Sequence, residues 1–177
     1  MPLSTRFNNE DAKLIHQHSE ILLGLEDALT KGFYDILYDH PATYEILRDQ
    51  DRSKRESVLR NWWQRTIKSN FDDEYWEWQV FVGLVHIKQK VTNPMMICMW
   101  GWIMTTLRAA LKEKLSQDEL DPLMSSFERL AATIQALTAE SFLANYVEAI
   151  EGATGFNNKL VNRMVALQID GMIDNSL

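Results

Sequence analysis

A single cysteine, Cys98, is all the thiol in this chain of 177 residues, so no internal disulfide can staple it and a disulfide-rich secreted scaffold is excluded. Glycine and proline are scarce, with 7 and 4 copies, which leaves no basis for a low-complexity or fibrous architecture. Positive charge is not in excess either. Against 18 Lys and Arg stand 25 Asp and Glu, a net charge of −7, and the electrostatic footprint of a nucleic-acid surface is missing. The densest basic group, Arg52-Ser53-Lys54-Arg55, is interleaved with Asp51 and Glu56 and reads as a solvated face.

The apolar run PMMICMWGWIM, from Pro94 to Met104, falls short of the roughly 20 residues that span a bilayer. It reads as a buried core helix, with Cys98 as a small buried hydrophobe. The start MPLSTRFNNED has neither the basic nor the apolar region of a signal peptide. A cytoplasmic protein without membrane contact is therefore expected.

What is present is helical periodicity. Hydrophobic residues make up 46% and charged residues 24%, enough apolar surface for one globular core, and no stretch alternates as a strand does. The reading is all-α. A first helix is expected from about Asn9, capped by Asn8 or Asn9, continuing or bending near Gly24 and stopping at Asp39-His40-Pro41. Pro41 opens a short turn to Leu47. The next helix runs from about Asp51 to Lys68 with Val58, Leu59, Trp62, Trp63 and Ile67 as its apolar side, and another from about Asp72 to Lys90. Asn93 caps a helix that starts at Pro94 and ends near Leu115. Ser116-Gln117-Asp118-Glu119 has the form of a capping box, yet Pro122 would sit too deep in a helix starting there; a short turn followed by a long helix from Asp121-Pro122 reconciles the two. Gly152 and Gly155 end that helix, and a last amphipathic piece, NNKLVNRMVALQID, follows.

A glycine falls inside a helix three residues before a histidine, in Val82-Gly83-Leu84-Val85-His86. Helical spacing gives His86 the same face as Val82 and Gly83, and earlier Gln79 and Tyr75. Two readings fit. Either His86 is a core histidine beside a glycine that permits close helix contact, or it is a ligand with flat room beside its imidazole.

The segments FYDILYDHPATYEIL, LRNWWQRTIKSNFDDEYWEW and VGLVHIKQK, in that order, resemble the haem-binding domain of globin-coupled sensors and protoglobins. The pair Phe33-Tyr34, the turn His40-Pro41, the tryptophan Trp63 and the run Val82 to His86 correspond to the family's motifs. After His86, Gln89-Lys90-Val91-Thr92-Asn93-Pro94 departs from the usual continuation of the family. The resemblance implies a globin-like helical sandwich with an extra N-terminal helix, a sensor domain over 1–152 and a C-terminal linker helix over 153–177. It implies haem b, iron protoporphyrin IX, with His86 as the axial ligand and its other ring nitrogen on a backbone carbonyl one turn back. Tyr34 would donate to bound oxygen beside Phe33, Val58 and Leu59 would form the distal wall, and Val82, Gly83, Met96 and Trp100 would lie on the proximal side. The segment from Asp51 to Lys68 holds no histidine, which excludes a second imidazole from that helix.

The function so implied is a haem-based oxygen sensor domain that binds O2, CO or NO at ferrous iron and passes a conformational change on. The route would be a homodimer formed by the last two long helices, leading to a signalling output domain absent from this chain. The domain itself would not be an enzyme. The alternatives are a stand-alone protoglobin for O2 or NO binding or NO detoxification, and a haem-free helical interaction protein whose six tryptophans and eight methionines are simply core.

Overall fold

The computed structural model describes residues 2–174. After a single 3-10 turn at Leu3–Thr5, nine helices follow among the described residues: α1 Asn9–Gln17, α2 Ser19–Leu23, α3 Glu26–Asp39, α4 Pro41–Leu47, α5 Arg52–Lys68, α6 Asp73–Lys88, α7 Asn93–Lys112, α8 Gln117–Thr154 and α9 Asn158–Asp174. No strand occurs among them. The expected end of the chain at 175–177 lies outside the described residues.

Local chemistry sets most of these boundaries. Asn8 caps α1 by accepting from the Glu10 and Asp11 amides at 2.9 and 3.3 Å, while Asp11 accepts from the Asn8 amide at 3.0 Å, a reciprocal box. The expected single first helix is interrupted twice. At His18 the ring nitrogen Nδ1 lies 2.9 Å from the Leu14 carbonyl, competing with the helical ladder, and a second break falls at Gly24-Leu25. Asp51 and Asp72 cap α5 and α6 through the amides of Lys54 and Tyr75, at 3.3 and 3.1 Å.

Two boundaries correct the sequence reading. Thr92, not Asn93, caps α7, its hydroxyl accepting from the Met95 amide at 3.5 Å, and Asn93 is the first helical residue. Likewise α8 starts at the Ser116 capping box and runs unbroken through Pro122. Pro122 removes one amide, the one that would reach the Asp118 carbonyl four residues back. Both Asp118 and Pro122 are exposed, so water can serve that carbonyl and the helix carries the proline without turning. The far end of α8 is set by Gly155, whose φ of 73° is left-handed, a conformation that glycine adopts without steric cost.

α8 is the axis of the fold: α1, α6 and α7 all pack on it. The main apolar cluster joins Ile15, Leu22, Trp63, Leu107, Phe127 and Leu130 with their neighbours. Trp63 stacks on Phe127 with centroids 6.0 Å apart, and its indole N–H donates to the Leu22 carbonyl at 3.0 Å. None of the fully buried residues of this cluster comes from α6, although Trp76 packs on its edge. The run from Pro94 to Met104 is amphipathic rather than buried throughout: Met96, Trp100 and Ile103 face inward, while Ile97, Cys98 and Gly101 face out. The expectation of a buried Cys98 is therefore corrected, because the helical turn that buries Met96 and Trp100 places residue 98 on the opposite side.

One ion pair ties the two ends of the domain together. The fully buried Asp11 receives the Arg129 guanidinium, with Nε 3.0 and 2.9 Å from its two oxygens and Nη2 closing a second bond. Removing one partner of a buried pair strands the other charge. Arg129→Leu is expected to cost about 3 kcal/mol in urea unfolding. A loss below about 1 kcal/mol would place the Asp11 carboxylate in contact with water, at the level of a surface pair.

Candidate haem site on the sixth helix

α5 and α6 form an antiparallel hairpin around Ser69–Asp72, a turn in which Phe71 has a φ of 53°. Polar rungs join the two helices. Nearest the turn, the Tyr75 hydroxyl donates to Thr66 Oγ1 at 3.2 Å. Next, Gln79 donates to the Tyr75 hydroxyl at 2.9 Å and accepts from the Trp62 indole N–H at 3.5 Å. The far rung is Arg55, whose Nη2 donates to Gln89 Oε1 at 2.6 Å; the Gln50 amide donates to the same oxygen at 3.3 Å. His86 and Val82 lie along α6 between the Gln79 and Gln89 rungs, and Leu59 lies along α5 between Trp62 and Arg55.

His86 is half-buried, and neither ring nitrogen has a hydrogen-bond partner among the described residues. The expected carbonyl one turn back is not engaged: the bond that His86 makes is through its own carbonyl, which accepts from the Val91 amide at 3.0 Å. Burial pushes the imidazole below its ordinary value of 6.5, so the ring is neutral at physiological pH with a lone pair available to a metal. No cluster of three or more His, Cys, Asp or Glu fit for a metal ion occurs among the described residues. An iron already held by four porphyrin nitrogens asks the protein for only one strong ligand, and a half-buried, unpartnered imidazole fits that demand.

Tyr34 is buried on α3, and its hydroxyl donates to the Arg55 carbonyl at 2.9 Å. Burial pushes this phenol up to about 12, with the Arg55 charge pulling the other way, so it keeps its proton and remains a donor. Phe33 stands edge-on to Tyr34 and to Trp102, with centroids 5.5 and 6.0 Å away. Phe33 and Leu59 also line a cavity of about 10 Å³ shared with Leu29, Thr30, Trp62 and Trp102. On α7, Trp100 meets Trp62 edge-on at 5.6 Å, and Met96 accepts from the Thr138 hydroxyl at 3.0 Å; both are buried.

Several residues expected at the site stand elsewhere. Val58 is 59% exposed, on the outer side of α5, where it walls nothing. Trp63, the tryptophan of the motif, packs in the main core on Leu22 and Phe127 and also edges the small cavity beside Phe33 and Leu59, whereas Trp62 bonds to Gln79 of α6. Gly83 is corrected in its reason. A Cβ there would lie 2.8 Å from Ser141 Oγ, 2.9 Å from Ser141 Cβ and 2.9 Å from the Thr138 carbonyl oxygen, so the glycine admits α8, and the space beside it is taken. Ser141 seals this contact by donating to the Val80 carbonyl at 2.7 Å. Of the polar rungs, Gln79 was legible as a neighbour of His86 on one helical face. Arg55, Gln50 and Gln89 were not, since nothing in local spacing brings them together.

A family model described as Protoglobin matches residues 4–148. Among solved structures, the globin domain of a Geobacter sulfurreducens globin-coupled sensor is similar, with a TM-score of 0.72 and 18% identity over 78% of this chain and 92% of that one. At that identity the likeness establishes the fold. No curated protein matches the sequence significantly. No helix among the described residues is long and apolar enough to cross a membrane.

The close contact at Gly83 is testable without any cofactor. Gly83→Ala gains about 1 kcal/mol of helix propensity but drives a methyl into a backbone oxygen of α8, and overpacking of that kind costs about 1–3 kcal/mol. The haem-free variant is expected to be less stable than wild type by about 1 kcal/mol, whereas Gly101→Ala, where an added Cβ meets nothing within 4 Å, is expected to gain up to about 1 kcal/mol. Urea titration of both measures the contrast; equal gains would remove the α6 to α8 contact as the reason for Gly83.

Proposed function

The chain belongs to the protoglobin family, and on that premise we propose that it is a haem-based gas sensor domain, with haem b bound by His86 between α5 and α6. The observation that carries this reading is the state of α6. It contributes Tyr75, Gln79 and Gly83 to the interior but no fully buried residue to the main apolar cluster, and it leaves Val82, Val85 and an unpartnered His86 half-buried. A helix of a stable core ordinarily buries an apolar stripe; here the apolar partner of that face is a flat cofactor.

Haem supplies an iron with an open position for a diatomic gas, O2, CO or NO. His86 provides the neutral imidazole that holds it. Tyr34 provides the phenolic proton, which rests on the Arg55 carbonyl and turns toward a ligand that gathers negative charge, as oxygen does and carbon monoxide does not. The domain carries no chemistry of its own beyond binding. Its partners are the gas, a second copy of the chain across α7 and α8, where Ile97, Leu143 and Tyr146 are exposed, and a signalling module reached through α9. That helix has Val161 as its buried residue and exposes Leu160, Met164, Leu167 and Met172. A stand-alone protoglobin for O2 or NO binding or NO detoxification is the second reading, favoured by the same distal donor and needing no output module.

Visible spectra of the haem-reconstituted protein test the first step. The expected result is a Soret band that shifts on reduction and again under oxygen and under carbon monoxide, and that is lost in His86→Ala. A protein that takes up no haem would leave the helical bundle as an interaction module. Tyr34→Phe is expected to speed oxygen dissociation at least ten-fold with carbon monoxide affinity nearly unchanged, the loss of a charge-assisted hydrogen bond; stopped-flow kinetics showing an unaltered oxygen off-rate would keep Tyr34 on Arg55 and out of gas binding.

A further inference from the structure

Arg55 is an arginine without a counter-ion. The other arginines of α5 are all paired: Arg52 with Asp35 and Glu56, Arg60 with Asp27 and Glu56, Arg65 with Glu74. Arg55 meets no carboxylate among the described residues. It is half-buried, and its guanidinium reaches the amide oxygen of Gln89, the C-cap residue of α6. A second donor, Gln50 Nε2, converges on that oxygen while it also donates to the Ile46 carbonyl at 2.7 Å. Those two acceptors fix the orientation of the Gln50 amide and leave its Oε1 buried with no partner. Donors therefore crowd onto one oxygen while another goes unused, and a buried polar group left so calls for an explanation.

One oxygen receiving a guanidinium and a second N–H is the arrangement that a carboxylate oxygen takes, and arginine is the side chain best matched to a carboxylate. Haem carries two carboxylates, at one edge of the ring. On a chain with a net charge of −7, that edge needs a local cation. The Arg55 rung sits at the end of the α5 to α6 hairpin farthest from its connecting turn, beyond His86, while the inner rungs at Gln79 and Tyr75 are neutral. We propose that Arg55 anchors a haem propionate there, with Gln89 holding the carboxylate's place in its absence. The proposal rests on the haem reading above and makes Arg55 a positioning residue, distinct from the axial His86 and the distal Tyr34.

The test compares ferric protohaem with its dimethyl ester, which has the same ring and no carboxylates. Each is loaded into wild type, Arg55→Leu, Arg55→Lys and Gln89→Ala, and its transfer to an excess of apo-globin acceptor is followed by absorbance. Arg55→Leu is expected to release protohaem about ten-fold faster than wild type, the loss of one partly exposed charge-assisted contact, and to release the ester at the wild-type rate. Arg55→Lys keeps the charge without the planar fork and falls between. Gln89→Ala frees Arg55 from its competitor and is expected to hold protohaem at least as long as wild type. Equal acceleration of both haems, or of neither, in the Arg55 variants would overturn the proposal, as would faster protohaem loss from Gln89→Ala, which would make the bridge itself the retaining element. Should Arg55→Leu fail to fold, Arg55→Lys and Gln89→Ala decide the question by the same ester comparison. A wild type that retains neither haem overturns the haem reading itself, and this assignment with it.

Discussion

The position of every residue at the site depends on how closely α6 approaches α8. That distance is set where Gly83 meets Ser141 and the Thr138 carbonyl, with contacts under 3 Å awaiting any Cβ. Ser141 fixes the approach by bonding the Val80 carbonyl, and it accepts in turn from the Asn145 amide at 3.1 Å. With one side of α6 pressed onto α8 at Gly83, His86, three residues on and on the same broad face of the helix, lies at the edge of that contact and stays half-buried. The short helix-to-helix contact thus fixes the backbone from which the imidazole projects. A glycine beside a ligand can serve the ligand by what it packs against behind it rather than by the room it leaves in front.

The two halves of the fold are stabilised differently. Around α1, α2, α7 and the first part of α8 the interior is ordinary close-packed hydrocarbon, with tryptophan and phenylalanine rings stacked and the buried charge of Asp11 paired with Arg129. Around α6 it is hydrogen-bonded: Thr66, Tyr75, Gln79 and Trp62 satisfy one another across the hairpin. Such a network fixes geometry more than it adds stability, because each bond replaces one to water, whereas a buried member left unpaired costs its full desolvation. A helix held by directional bonds to α5 and by extensive packing on α8 keeps a defined orientation while Val82, Val85 and His86 stay only half-buried. That division suits a binding site, which needs rigidity on one side and an open surface on the other.

Much of this was legible in the sequence, and the misses have physical causes. The all-α class and six of the nine described helix starts, those of α1, α4, α5, α6, α7 and α9, follow to within a residue from caps and periodicity, because Asn8, Asp51 and Asp72 do their work within one turn of chain. Pro122 misled because its effect depends on whether the orphaned carbonyl faces water, which is a tertiary fact. Val58 and Cys98 were placed inward by composition, yet hydrophobicity alone does not decide which side of a two-faced helix a residue takes. The two residues that the protoglobin motifs single out, His86 and Tyr34, lie on α6 and α3. The motifs carried no information on Arg55, whose acceptor Gln89 stands 34 residues away and whose fellow donor Gln50 stands 5 away; the three meet only once the hairpin has formed.

Arg55 holds two of these threads at once. Its carbonyl receives the Tyr34 hydroxyl from α3, and its guanidinium reaches the end of α6 at Gln89, three residues past His86. A single residue of α5 therefore joins Tyr34 to the end of the helix that carries His86, one contact through backbone and the other through side chain. The backbone contact survives any substitution at position 55, and the side-chain contact does not. On the proposed assignment, variants there separate the retention of haem from the placement of the Tyr34 hydroxyl, two properties that substitution of His86 or Tyr34 alone would leave entangled.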